Sequence, residues 1–102
     1  MIVVLGRAQL QPGLKAQAWA LSREHVARSR TEAGCIAHAV HEDPDAADAL
    51  VFVEEWASMA DLQAHFGLPA TRAFARALAG MLAAPAQMRL LEATPVPLPR
   101  RM

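Results

Sequence analysis

The chain has 102 residues, ten Lys+Arg against ten Asp+Glu, a formal net charge of zero, and 54% apolar residues. That length suits one small domain with a thin stability margin, and the composition excludes a disordered chain. The charge balance excludes the basic excess that holds nucleic acid, and the lone Cys35 excludes a disulfide framework or a paired redox thiol.

Residues Ile2 to Leu10 form an apolar run that reads as a strand covered on both faces, ended by the turn at Pro12-Gly13. The opening residues Met1 to Arg7 are too short to span a membrane. They also lack the charged lead and long apolar core of a signal peptide, so the expectation is a cytoplasmic protein without a membrane partner. A helix follows over about residues 14–30, with Leu14, Ala18, Leu21, Ser22 and Val26 on one side. Gly34 suits the left-handed turn that ends this segment.

Cys35 to Glu42 reads as a second strand and Ala49 to Trp56 as a third. The short Asp43-Pro44-Asp45 loop makes them an antiparallel hairpin. Ser58 caps the next helix, with Asp61 three residues on. Met59, Leu62, His65 and Phe66 are expected on its inner face. Gly67 and Pro69 break it, and a further helix carries Thr71, Phe74, Ala75, Leu78 and Leu82 until Pro85 stops it. Gln87 to Ala93 is a fourth strand, so residues 1–94 read as the domain. Residues 95–102, with Pro95, Pro97 and Pro99, read as an extended tail.

The order β-α-β-β-α-β predicts an α+β, ferredoxin-like fold: a four-stranded antiparallel sheet with its helices on one face. Runs such as Ile2-Val3-Val4-Leu5 and Leu50-Val51-Phe52-Val53 put apolar side chains on both faces. The face without helices would then expose an apolar patch, and a second copy of the chain is the simplest cover. A homodimer through the open sheet face is therefore expected.

Candidate chemistry gathers at the end of the third strand. Glu54 and Trp56 alternate, so they share a face. His65 lies nine residues after Trp56, across a strand end, a capped turn and two helical turns, which lets the indole and the imidazole meet. His65 is the candidate base, since imidazole accepts a proton near neutral pH. Alternatively, Trp56 is packing and His65 a satisfied structural residue. His25 falls in the stripe of the first helix, where it reads as a buried, hydrogen-bonded structural residue with lining of the pocket as the alternative, and His41 reads as solvent-facing. Cys35 reads as a small core residue, Arg30 as a helix-end cation, and Glu32 as a surface or hinge residue. His38 and His65 lack a recognisable metal spacing, and Cys35 with His38 cannot close a zinc site, so no metal is expected.

Ser29-Arg30-Thr31-Glu32-Ala33-Gly34-Cys35 forms one block. Val53-Glu54-Glu55-Trp56-Ala57-Ser58, followed by Leu62-Gln63-Ala64-His65-Phe66, forms a second. With the element order, these blocks resemble the antibiotic biosynthesis monooxygenase family, which includes quinol monooxygenases, over about residues 2–93. The resemblance implies a dimeric α+β barrel with a pocket between sheet and helices in each protomer. This chain departs from it at three places. Relatives often carry a second His five residues after the first, where this chain has Ala70. They often carry Tyr in the second strand, where this chain has His38. The Asn, Trp and His of haem-degrading relatives align with Gly6, His65 and Ala75, so haem is not expected.

No dinucleotide fingerprint, P-loop or haem signature is present. An oxygenase on this chain would therefore work without a cofactor and draw its electrons from a quinol or polycyclic phenol. His65 would be the base, Trp56 and Phe66 the walls of an apolar box, and Glu54 the carboxylate orienting His65, with His38 a further substrate contact. A non-catalytic binder of small aromatic ligands and a cofactor-free isomerase are the alternatives.

Overall fold

In the computed structural model, which describes residues 1–101, the elements follow the order β-α-β-β-α-α-β. They are β1 (Ile2–Gln9), α1 (Lys15–Ser29), β2 (Cys35–Glu42), β3 (Ala49–Trp56), α2 (Met59–Gly67), α3 (Pro69–Ala79) and β4 (Gln87–Glu92). The strands form one sheet in the order β2-β3-β1-β4, and every pairing is antiparallel. This is the expected ferredoxin-like α+β fold, with its second helix in two pieces.

Strand periodicity decides which residues enter the core. Ile2, Val4 and Ala8 of β1 are buried, and so are Leu50, Phe52, Glu54 and Trp56 of β3. All three helices pack on this inward face. Ala18 and Val26 of α1 and Phe74 and Leu78 of α3 join Ala8, Val40, Leu50 and Phe52 in one cluster. Leu62 of α2 joins Ile2, Val4 and Trp56 in another. The alternate residues Val3, Leu5, Val51 and Val53 lie on the opposite face and are only half-buried. The apolar runs are thus two-faced, with one face covered by the chain's own helices.

Local signals account for the element ends. Gly34 has φ +79°, and a Cβ there would lie 2.2 Å from the Asp61 carboxyl carbon, so only glycine fits both the backbone and the space. Asp61 is held in turn by the cap of α2: the Ser58 hydroxyl accepts from the Asp61 backbone N–H at 3.2 Å. An irregularity between Cys35 and Ala37 turns Ile36 out to solvent.

Two expectations need correction. α3 ends at Ala79, well before Pro85, because the chain turns there and pairs with the end of β1 through Leu10 and Leu82. Met59 is exposed, since α2 is rotated to bury Leu62 and His65. No residue of β4 is buried: Met88 and Leu90 pair with Gly6 and Val4 but lie beyond the helices. Among the described residues, no helix is long and apolar enough to cross a membrane.

Candidate active site

His38 of β2 and Glu54 of β3 are direct cross-strand partners, so both side chains enter the inward face side by side. His38 Nε2 lies 3.2 Å from Glu54 Oε1. Trp56, two residues on and on the same face, donates its Nε1–H to the same oxygen at 3.0 Å. The His38 contact is close but misaligned for a hydrogen bond, and neither ring nitrogen of His38 has a partner among the described residues. Burial alone would raise the Glu54 carboxyl pKa. Its contacts with His38 and Trp56 more than offset this, leaving it below the ordinary carboxylate value.

α2 supplies His65 one turn after Leu62, both turned inward. Its Nδ1 lies 2.7 Å from Oε1 of Glu32, which stands in the turn between α1 and β2. An ionised carboxylate can only accept, so in the neutral ring Nδ1 carries the proton and Nε2 holds the lone pair. The His65 ring lies 4.6 Å from the Trp56 ring, 5.3 Å from His25 and 5.9 Å from His38. The carboxylate bonded to His65 is therefore Glu32 rather than Glu54, and Glu32 is a partner of the site rather than a surface or hinge residue.

Beside this cluster lies a partly open cavity of about 130 Å³. His25, Glu54 and His65 bring polarity to walls made of Phe52, Phe66 and Phe74. Gly6 and Met88 border it on the side of β1 and β4. Phe66 is partly exposed. Trp56 and His38 do not line the cavity. The indole is fully buried against His65, and the His38 side chain is fully enclosed beside Glu54.

His25, read from sequence as structural or as a pocket-lining residue, borders the cavity and stacks on Phe74 with ring centroids 3.9 Å apart and planes 2° from parallel. Burial, followed by the neighbouring His38 and His65, lowers its pKa to about 3. Burial, followed by Glu32 and Glu54, pushes the Cys35 thiol up, which suits a packing residue rather than a nucleophile. Arg30 donates from Nε to the His38 carbonyl at 2.9 Å, tying the end of α1 to β2. His41 is exposed.

A family model described as antibiotic biosynthesis monooxygenase matches residues 1–77. The chain belongs to the antibiotic biosynthesis monooxygenase family. It is 34% identical over 89 residues to the uncharacterized protein sll1783 of Synechocystis sp.. That match covers 87% of this chain and 60% of the Synechocystis protein, so the chain spans about three fifths of the curated relative's length.

Among solved structures, this family member superposes on a crystal structure of an antibiotic biosynthesis monooxygenase with a TM-score of 0.86 at 24% identity, covering 93% of this chain and 100% of the other. It superposes on Rv0793 from Mycobacterium tuberculosis with a TM-score of 0.83 at 24% identity, covering 99% and 98%. At those identities the likeness establishes the fold.

Proposed function

We propose that this chain is a monooxygenase that oxidises a quinol or polycyclic phenol with molecular oxygen, using the substrate's own electrons. The observation that carries this reading is His65: a buried imidazole bordering an aromatic-walled cavity, with Nδ1 held by Glu32 at 2.7 Å. A base so held keeps Nε2 ready for a phenolic proton, in apolar surroundings that favour a flat ring.

Deprotonation raises the ring's electron density until it reduces oxygen. In the phenol case, one oxygen atom bonds to a ring carbon and becomes the second carbonyl. The O–O bond breaks and the other oxygen leaves as water. Phenol and oxygen thus give quinone and water, and atoms and electrons balance without an external reductant. Phe66 and Phe74 would hold the ring, and Glu54 would present a fixed charge to it.

The apolar half-buried face formed by Val3, Leu5, Val51 and Val53 supports a homodimer joined sheet to sheet. The unpaired Cys35 is in keeping with a cytoplasmic setting.

Oxygen uptake with a panel of quinols and naphthols tests the reading. His65→Ala is expected to lower turnover by about 10²–10⁴-fold, the usual contribution of a positioned base; unchanged uptake sinks it. Ala70, where relatives often carry His, favours a second reading as a non-catalytic aromatic binder, which predicts ligand-dependent thermal stabilisation with no uptake. Turnover that persists without oxygen would instead identify an isomerase.

A further inference from the structure

Three of the four histidines stand together, brought from three different elements: His25 from α1, His38 from β2 and His65 from α2. All three are buried, and one ring nitrogen of each lies within 4.8 Å of the other two. His38 is enclosed completely, yet neither of its nitrogens has a hydrogen-bond partner among the described residues. Buried polar groups in folded proteins are nearly always satisfied, so such an imidazole calls for a partner. Glu54 Oε1, 3.2 Å from His38 Nε2, adds an oxygen donor at the same place. The Glu32 contact to His65 Nδ1 is the outer-shell arrangement by which a carboxylate fixes a ligating imidazole and leaves its other nitrogen to bind.

We propose that His25, His38 and His65, with Glu54, form a binding site for one divalent transition-metal ion of the Zn²⁺ class. Imidazole nitrogens with one carboxylate suit such borderline ions better than the hard ions Mg²⁺ or Ca²⁺, which prefer oxygen. Metal–nitrogen bonds of about 2.0–2.1 Å in tetrahedral geometry require nitrogens about 3.3 Å apart. The widest gap therefore closes by about 1.5 Å, a movement within reach of side-chain torsions. Charge also balances: with neutral imidazoles, Glu32 and Glu54 contribute two negative charges, which a divalent ion offsets.

The inference stands apart from the oxygenase reading. The two meet at His65, because an ion would occupy the Nε2 lone pair that the proposed base uses. The metal-bound and base-competent forms would then exclude one another, and the ion would act as an inhibitor of the base-dependent reaction.

The test uses the untagged full chain, stripped with EDTA. Zn²⁺ is titrated by calorimetry, and Co²⁺ is followed by visible absorption. The expected result is one ion per chain, a tetrahedral Co²⁺ spectrum and a raised thermal midpoint. Glu32→Gln should weaken Zn²⁺ binding by about 10–100-fold, as loss of an outer-shell partner does, and His25→Gln or His38→Gln by more than that. His41→Gln should change nothing. Circular dichroism checks the fold of each variant; if a core variant fails to fold, the wild-type stoichiometry and Co²⁺ spectrum decide.

Absence of Zn²⁺ binding overturns the proposal, as does an octahedral Co²⁺ spectrum or binding lost in His41→Gln. Absence of binding with quinol oxidation intact removes the metal site alone. Tight binding with no oxidation by the stripped chain removes the oxygenase reading alone.

Discussion

Glu32 Oε1 and His65 Nδ1 lie 2.7 Å apart, joining the turn after α1 to the last turn of α2. The contact fixes the ring's orientation from the side away from its free nitrogen. Glu32→Ala should therefore lower substrate turnover by about 10²-fold, the scale of loss that accompanies a misplaced catalytic group. The loss should fall mainly on kcat, because Glu32 does not line the cavity. Glu32→Gln, whose amide oxygen can accept from the same nitrogen, should recover much of the rate. Steady-state oxygen uptake on the three proteins checks this, with KM and kcat separated.

His25 gives the metal-free chain a pH-dependent stability. Its pKa falls from 6.5 to about 3 on folding, through burial and then the neighbouring His38 and His65, with Arg28 acting in the same sense and Glu54 against. Between those values the unfolded chain binds the extra proton, so stability is complete above pH 6.5 and lost as pH falls. The slope is at most about 1.4 kcal/mol per pH unit. Glu54, also lowered, adds its own loss only below the ordinary carboxylate range near 4.5. Urea midpoints in EDTA at pH 7, 6 and 5 should fall steadily for the wild type and much less for His25→Phe.

Gly34→Ala should destabilise the chain by about 2–4 kcal/mol. About 1–2 kcal/mol comes from the left-handed backbone, and the remainder from the new Cβ against Asp61. Adding Asp61→Ala should recover only the part due to the carboxyl group, because the Cβ of residue 61 would still lie 2.5 Å from the new one. Denaturant midpoints of the single and double variants measure that part.

Trp56→Phe keeps most of the ring but removes the N–H that donates to Glu54 at 3.0 Å. A hydrogen bond to a buried carboxylate contributes about 1.5–3 kcal/mol. Stability at pH 7 should drop by that amount, and the deficit should shrink in acid as Glu54 takes up a proton. Urea titration at two pH values reads this directly.

Val53→Lys places a charge in the middle of the half-buried sheet face, away from the helices. If two copies meet there, sedimentation should show the substituted chain as a monomer with unchanged far-UV circular dichroism. A chain that sediments identically before and after the substitution does not use this face.

The strands were legible because Ile2-Val3-Val4-Leu5 and Leu50-Val51-Phe52-Val53 are continuous apolar runs too short for a buried helix and bounded by turn residues. Ser58 and Gly34 marked their turns through local chemistry that needs no tertiary context. The end of α3 was not legible, because pairing between Leu10 and Leu82 draws the chain away before Pro85. Glu54, His65 and Phe66 were found as neighbours of one space because strand and helix periods place them there. The contact of Glu32 with His65 and the stacking of His25 on Phe74 were hidden. Glu32 reaches His65 across 33 residues of sequence, and His25 meets Phe74 from another helix. No spacing rule along one element could announce either. His38 and Trp56, expected as a substrate contact and a box wall, lie outside the cavity lining, since alternation gives the face of a residue and not its depth.

α2 and α3 meet at a single residue, Leu68, whose extended backbone (φ −69°, ψ 138°) ends one helix and begins the next. His65 lies just before that joint, and Phe74 hangs from the helix just after it. The imidazole and the aromatic wall are thus mounted on two arms of one elbow. Trimming Phe74 reshapes the chamber while leaving the elbow's angle alone. Inserting even one residue at the elbow would re-aim both arms at once. Variation among relatives that accept differently sized rings should therefore accumulate in side chains along α3, while the length of this joint stays fixed.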